Sequence, residues 1–256
     1  MNEKAGHTFL AKLGKRRLRP GGIIGTNFLL QEFKNSADKA ILEVGCNMGT
    51  TAIELVKKHH IKNYVACDLD PKVLEKAVLN AKSNHVSDFI TFKEENALHL
   101  SFPDQSFDII INEAMLTMLS DAHKEKALKE YYRVLKPGGI LLTHDMMLRT
   151  NDNTLQKEVT ANISRAINIH AKPLTKDEWN ELFRSVGFDI KDIKFGPMSL
   201  LNPIGMVRDE GLINTLRILK NARKDENKKQ FDLMFNTFKK YQKELGFIAT
   251  ISIKNK

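Results

Sequence analysis

The 256-residue sequence predicts an α/β fold: a doubly wound, largely parallel sheet with helices on both faces. Three observations predict it. Short apolar runs at Ile41–Val44, Tyr64–Cys67, Phe107–Ile111 and Ile140–Thr143 alternate with helical patterns, the spacing of parallel βαβ units. The first run breaks into a loop containing Gly45 and Gly49 and enters a helix at Thr50, so a buried strand leads through glycine to a helix N-terminus. The second run ends in an acid, Asp68, 19 positions past Gly49, where a carboxylate can take both hydroxyls of a ribose.

The elements follow in order. Leu18–Thr26 is a turn with three glycines that leads into an apolar helix through Phe33. The first strand carries one acid, Glu43. The spacing Gly45-Cys46-Asn47-Met48-Gly49 is neither G-x-G-x-x-G nor a P-loop, which would end in Gly-Lys-Ser/Thr. An acid beside the loop suits a ligand with positive charge rather than a pyrophosphate. After the second strand, Asp70-Pro71 opens a helix over 72–82, with Asp70 as its cap and Asp68 left for the ribose. A third strand, Phe89–Glu94, alternates and ends in Glu95-Asn96-Ala97. The fourth exits at Asn112-Glu113. The next helix is expected to end over Arg133–Gly139, with Pro137, Gly138 and Gly139 turning the chain into the fifth strand.

The C-terminal third begins with a helix over 151–170 whose apolar face is Val159, Ile163, Ala166 and Ile167. Thr175 and Glu178 form a capping box opening a helix over 177–186, which Gly187 ends. Phe188–Phe195 and Phe247–Ile253 read as two further strands. Between them, residues 197–246 form an insert with an apolar patch (Met198, Leu200, Leu201, Ile204, Met206) and two amphipathic helices, about 208–222 and 225–245.

Composition narrows the function. No apolar run reaches the roughly 18 residues of a membrane span, and the N-terminus lacks the apolar core of a signal peptide. The two cysteines, Cys46 and Cys67, read as buried packing residues of a cytoplasmic protein. No His/Cys/Asp cluster has metal-ligand spacing, so no metal is expected. The net charge of +9 raises the question of nucleic acid, but lysine outnumbers arginine 30 to 10, as on solvated helix faces. The densest basic cluster, Lys12, Lys15, Arg16, Arg17 and Arg19, has no aromatic residues interleaved for base stacking, which favours a local role.

The motifs EVGCNMG, ACDLDP, ENALHLSFPDQSFDIII and YYRVLKPGGILL, in this order over residues 40–145, resemble the class I S-adenosylmethionine-dependent methyltransferases, most closely the subgroup that includes quinone-ring methyltransferases. The resemblance implies one Rossmann-like domain over residues 1–256, with a seven-stranded sheet of order 3-2-1-4-5-7-6 and the last strand antiparallel. It implies S-adenosylmethionine as cofactor. Glu43 and the loop Gly45, Asn47, Gly49 would hold its methionine half, and Asp68 its ribose. Leu69 would pack on the adenine, which the Glu95-Asn96-Ala97 segment would contact through Asn96 and the Ala97 backbone. The backbone of Asn112 would face the ammonium. Two positions depart from the family pattern. Asn47 replaces a glycine, although asparagine tolerates left-handed backbone. Asn96 replaces an aspartate, although its carbonyl still accepts a hydrogen bond. By the same resemblance, residues 6–33 are expected to form a lid and the 197–246 insert a cap over the acceptor; a helix packed on the sheet edge explains the first equally well, and an outer helical hairpin the second.

Ligands of open α/β sheets lie outside the carboxyl ends of the strands, which places Glu113 and His144-Asp145 near the acceptor. His144, with a pKa near working pH, is the candidate general base, and the alternative is a structural role at the strand end. The acceptor is expected to be a small, partly apolar metabolite. Base amino-methylation resembles a different motif after strand four from the Asn112-Glu113-Ala114-Met115 present here, and no cysteine is placed for base C5 chemistry. The alternatives are a methyltransferase of RNA or protein using the basic arm, and a cofactor-binding module without turnover.

Overall fold

The computed structural model describes residues 5–255. Its sheet carries β1 (Ala40–Val44), β2 (Asn63–Asp68), β3 (Ile90–Glu94), β4 (Phe107–Glu113), β5 (Leu135–Leu148), β7 (Phe188–Pro197) and β8 (Leu245–Lys254) in the order β3-β2-β1-β4-β5-β8-β7. The first five run parallel and β8 is antiparallel to both neighbours, which is the order the sequence resemblance implied. A two-residue strand, β6 (Leu174–Thr175), pairs with the end of β5 and was too short to carry a pattern.

The pleat sorts alternate residues to opposite faces. From β1, Ile41 joins a core under α3 (Thr50–His59) and α4 (Pro71–Ser83). Its neighbours Leu42 and Val44 join a second core under α5 (Asp121–Val134) and α7 (Lys176–Val186). A third core joins the N-terminal helix α1 (Gly6–Lys12), α6 (Asn153–Ile167) and the C-terminal insert.

Local signals act as read at several ends. Asp70 accepts from the Lys72 N–H at the start of α4, and both halves of the Thr175–Glu178 capping box are made. Other boundaries move. The helix α5 ends at Val134, early in the expected Arg133–Gly139 stretch, because a residue preceding proline avoids the α region and Lys136 precedes Pro137. β5 then begins at Leu135, absorbs 136–139 as an irregularity in its pairing with β4, and continues to Leu148. β3 starts at Ile90, with Phe89 in a 3₁₀ turn before it. The insert holds three helices, α8 (Pro203–Glu210), α9 (Leu212–Ala222) and α10 (Asp225–Lys240). The expected first helix is split because Gly211 adopts φ 76°, ψ 161°, which cannot continue a helix. Within the apolar patch, Leu201 and Met206 are buried but Ile204 is 78% exposed.

Residues 6–33 divide into two parts. α1 packs against α6 and the insert, whereas α2 (Gly22–Leu30) packs on β5, β7, β8 and α8, sending Leu29 into the main core.

Candidate active site

The carboxyl ends of β1, β2 and β4 form a cradle. Leaving β1, the Gly45 and Cys46 N–H groups donate to the Cys67 carbonyl at 2.8 and 2.9 Å. Asn47 takes the left-handed conformation (φ 48°) and Gly49 follows at φ 74°. A Cβ on Gly49 would also meet Phe92 at 3.2 Å and Ala77 at 3.3 Å, so only glycine combines that turn with close packing. Asp68 accepts from the Asn47 N–H at 2.9 Å and from the Asp70 N–H at 3.1 Å, one on each oxygen. It therefore holds the loop while keeping lone pairs toward solvent. Leu69 beside it is 66% exposed, so its side chain is free to pack on a flat ligand.

The Asn96 side-chain carbonyl accepts from the Leu98 N–H at 2.9 Å, and the Glu95 carboxylate accepts from the Ser101 N–H at 3.0 Å and from its hydroxyl, so these two side chains shape the turn that carries the half-buried Ala97. Asn112, fully buried, donates through Nδ2 to the Val44 carbonyl at 2.9 Å, and its Oδ1 has no partner. A left-handed open loop, a half-exposed acid, an uncovered leucine and an orphaned buried carbonyl fit a ligand with a ribose, a flat ring and a cationic end.

A second constellation lies beneath the N-terminal segment. Glu43, Glu113 and His144 share the face of Ile41, Ile111 and Leu142, and Glu113 pairs with His144 in register across β4 and β5. His144 is fully buried and has both ring nitrogens engaged. Nε2 accepts from the Gly21 N–H at 3.0 Å, which fixes the proton on Nδ1, where it donates to Glu113 Oε1 at 3.1 Å. Glu113 further accepts from Thr26 at 2.9 Å and Thr51 at 3.3 Å and pairs with Arg19 Nε at 2.7 Å. Burial alone would raise its pKa, but Arg19 and His144 hold it down at about 2. Glu43 shows the opposite balance: burial pushes it up to about 7 despite Arg19 and a 2.9 Å hydrogen bond from the Tyr64 hydroxyl.

Gly25 of α2 lies against the His144 ring, where a Cβ would come within 2.5 Å of Cε1 and Nε2. Because the ring is held at both nitrogens, Gly25→Ala is expected to destabilise the protein by about 1–3 kcal/mol. Chemical denaturation checks this, and an unchanged midpoint would show that the ring yields.

Three side chains of the basic cluster are paired within the molecule, while those of Lys12 and Arg16 are exposed. Lys15 pairs with Glu210 at 3.3 Å with both side chains fully buried, Arg17 with Glu54 at 2.7 Å, and Arg19 with Glu113 and Thr51. The Glu210 carboxylate also accepts from the Arg16 and Arg17 N–H groups at 3.0 and 2.9 Å.

Between α1, the β4 and β5 exits, α6 and α10 lies a small apolar cavity of about 40 Å³ that opens to solvent. Leu10, Leu18, Met146, Ile167, Met234 and Phe238 line it, together with His7, Thr117 and Asp145. His144 and Asp145, adjacent in sequence, thus serve opposite faces of the sheet. Ala114, also on the wall, is held at φ 58° with its N–H donating to the His144 carbonyl at 2.7 Å, a strained exit from β4 of the kind that gathers at functional sites. The negative field of Asp68 reaches His7, which places α1 close to the cradle as well as over the cavity.

Sequence reasoning missed Arg19, Thr26, Thr51 and Glu210 as partners. The period-two pattern placed Glu43, Glu113 and His144 on one face, and three acceptors on a buried face require a buried donor from elsewhere in the chain.

Residues 41–139 match the family model described as a methyltransferase domain. The chain is similar to an uncharacterised protein of Haemophilus influenzae, 49% identical over 98% of this chain and 99% of that one. It is also similar to the uncharacterised methyltransferase YodH of Bacillus subtilis, 30% identical over 75% of this chain and 76% of that one. Among solved structures, a phosphoethanolamine N-methyltransferase 2 of Haemonchus contortus in complex with phosphomonomethylethanolamine and S-adenosylhomocysteine shares the fold with a TM-score of 0.73 at 17% identity, covering 100% of this chain and 59% of that one. With the cradle, the strand order and these relatives together, the chain belongs to the class I S-adenosylmethionine-dependent methyltransferases.

Proposed function

We propose that this methyltransferase acts on a small, partly apolar metabolite held in the cavity beneath α1. The observation that carries the reading is the cavity itself: it lies at the carboxyl ends of β4 and β5, beside the cradle, with nearly all its lining apolar. When bound, S-adenosylmethionine supplies an activated methyl group on a sulfonium, so the protein's task is alignment and exclusion of water. In this reading Glu43 and the 45–49 loop hold the methionine half, Asp68 the ribose and Leu69 the adenine. The Asn96 amide and the Ala97 backbone meet the adenine edge, and Asn112 faces the ammonium.

The roles of His144 and Glu113 change from the sequence expectation. A general base needs a free nitrogen within reach of the acceptor, and both nitrogens of His144 are occupied by Gly21 and Glu113. We assign the two as positioning residues that fasten the N-terminal segment. The lid reduces to α1 and the irregular stretch to Pro20, with α2 as fixed core. The internal pairing of Lys15, Arg17 and Arg19 argues against an RNA-binding arm. The buried free thiols Cys46 and Cys67 suit a reducing, cytoplasmic setting.

Titration calorimetry with S-adenosylhomocysteine tests the cradle. Asp68→Ala is expected to weaken binding by about 1–3 kcal/mol, the range of a charge-assisted hydrogen bond; an unchanged dissociation constant would remove Asp68 from the site. Transfer of a labelled methyl group from the cofactor into a small-metabolite extract tests the acceptor class, and label appearing only in RNA or protein would overturn it.

A further inference from the structure

The cavity is apolar except at His7, whose Nδ1 has no hydrogen-bond partner among the described residues, and at one end. There Asp145 is 2% exposed and Thr117 1% exposed. Asp145 Oδ1 accepts from the Met146 N–H at 3.0 Å and from the Thr117 N–H at 3.3 Å. By distance and angle neither its Oδ2 nor the Thr117 hydroxyl has a hydrogen-bond partner among the described residues, and burial raises the Asp145 carboxyl's pKa while the nearby Thr117 hydroxyl opposes the rise. Both residues line the cavity. A buried carboxylate oxygen and a buried hydroxyl left unpaired are costly. Two of them on the wall of one apolar cavity describe a site whose hydrogen bonds a ligand completes.

The neighbouring charges indicate what kind of ligand. The buried Lys124 ammonium, held at 2.9 Å by the Leu119 carbonyl and at 3.1 Å by Asp121, already lies in the field of Asp145. A ligand ammonium would add a second cation beside one buried carboxylate. A neutral hydroxyl avoids that repulsion, and it matches the pair in number: one hydrogen for Oδ2 and lone pairs for the Thr117 O–H.

We infer that Asp145 and Thr117 form the polar end of the acceptor site and select an apolar molecule through one hydroxyl group, which donates to Asp145 Oδ2 and accepts from the Thr117 hydroxyl. The inference rests on the cavity being the acceptor pocket of a functioning methyltransferase. It assigns Asp145, and not His144, as the polar group of β5 that meets the acceptor.

Four probes of similar size test it in calorimetric titrations of the full chain saturated with S-adenosylhomocysteine: 1-naphthol, 1-methylnaphthalene, 1-naphthylmethylamine and 1-naphthaldehyde. The wild type is expected to bind 1-naphthol at least about tenfold tighter than 1-methylnaphthalene, the size of one hydrogen bond to a charged group. Thr117→Val is expected to reduce that preference severalfold. In Asp145→Asn the two backbone N–H donors hold the amide oxygen at the Oδ1 position, so the amide NH₂ faces the cavity. The variant is then expected to bind 1-naphthaldehyde, whose oxygen only accepts, more tightly than 1-naphthol. Equal binding of 1-naphthol and 1-methylnaphthalene by the wild type would overturn the inference, and so would tightest binding of the amine. The wild-type comparison and Thr117→Val decide the matter if Asp145→Asn fails to fold. Failure of S-adenosylhomocysteine itself to bind would instead strike the underlying methyltransferase reading, which separates the two.

Discussion

Arg19→Ala is expected to destabilise the protein by about 3–5 kcal/mol, the cost of removing one partner from a buried ion pair. The guanidinium meets Glu113 at 2.7 Å where the two side chains are 12% and 5% exposed, and it also reaches Thr51. Without it, Glu113 keeps only hydroxyls and a neutral imidazole, and its carboxylate is left in a site that burial alone would make hostile to charge. The double variant Arg19→Ala/Glu113→Gln is expected to recover more than half of the loss, because glutamine still accepts from Thr26 and His144 without carrying charge. Urea denaturation of the four members of the cycle measures this. A loss below about 1 kcal/mol for Arg19→Ala would mean that water replaces the guanidinium and that the pair contributes little.

The second large effect has the opposite sign. Glu43→Gln is expected to stabilise the free protein above pH 7 by about 3 kcal/mol while weakening the cofactor about tenfold or more. Burial raises the Glu43 carboxyl from 4.5 to about 7, so the folded state prefers the protonated form. A raised carboxyl costs stability above its unfolded value; the cost grows from pH 4.5 to about 7 and is constant beyond. Glu113 acts in reverse. Held at about 2, it contributes stability that is fully present above pH 4.5 and is lost as the pH falls toward 2. Together the two groups give a maximum near pH 4.5. Glu43→Gln removes the slope between pH 4.5 and 7 and leaves the acid limb in place. A variant with an unchanged profile across that interval would show that Glu43 is ionised without penalty. The pairing of higher stability with weaker binding is the usual sign of an acid retained for a ligand.

Much of the frame was legible because it depends on local signals. Glycine and asparagine mark the left-handed turn after β1, Asp70-Pro71 and Thr175–Glu178 mark helix starts, and apolar runs mark buried parallel strands. The shift at Pro137 was legible in principle, since the rule that keeps Lys136 out of a helix is local too. The rest depends on partners remote in sequence. Arg19 sits in a basic cluster that composition reads as a solvated face, and only folding reveals three carboxylates waiting for it, Glu54, Glu113 and Glu210. His144 carried the right residue type for a base, but its role is set by Gly21, more than a hundred positions away. Asp145 stood out less in sequence, and it is the residue that the pleat turns toward the cavity.

The Glu210 contacts also set an order of assembly. Lys15, Arg16 and Arg17 bind a carboxylate 193–195 residues further on. At the usual pace of translation, roughly 10–40 s separate the emergence of the two. Through that interval the N-terminal segment lacks Glu210, and the apolar side of α2 has neither β8 nor α8 to cover it, although Glu54, Glu113 and His144 are already made. The contacts of residues 15–17 and of α2 are therefore completed only when the insert has left the ribosome, and the active site with them.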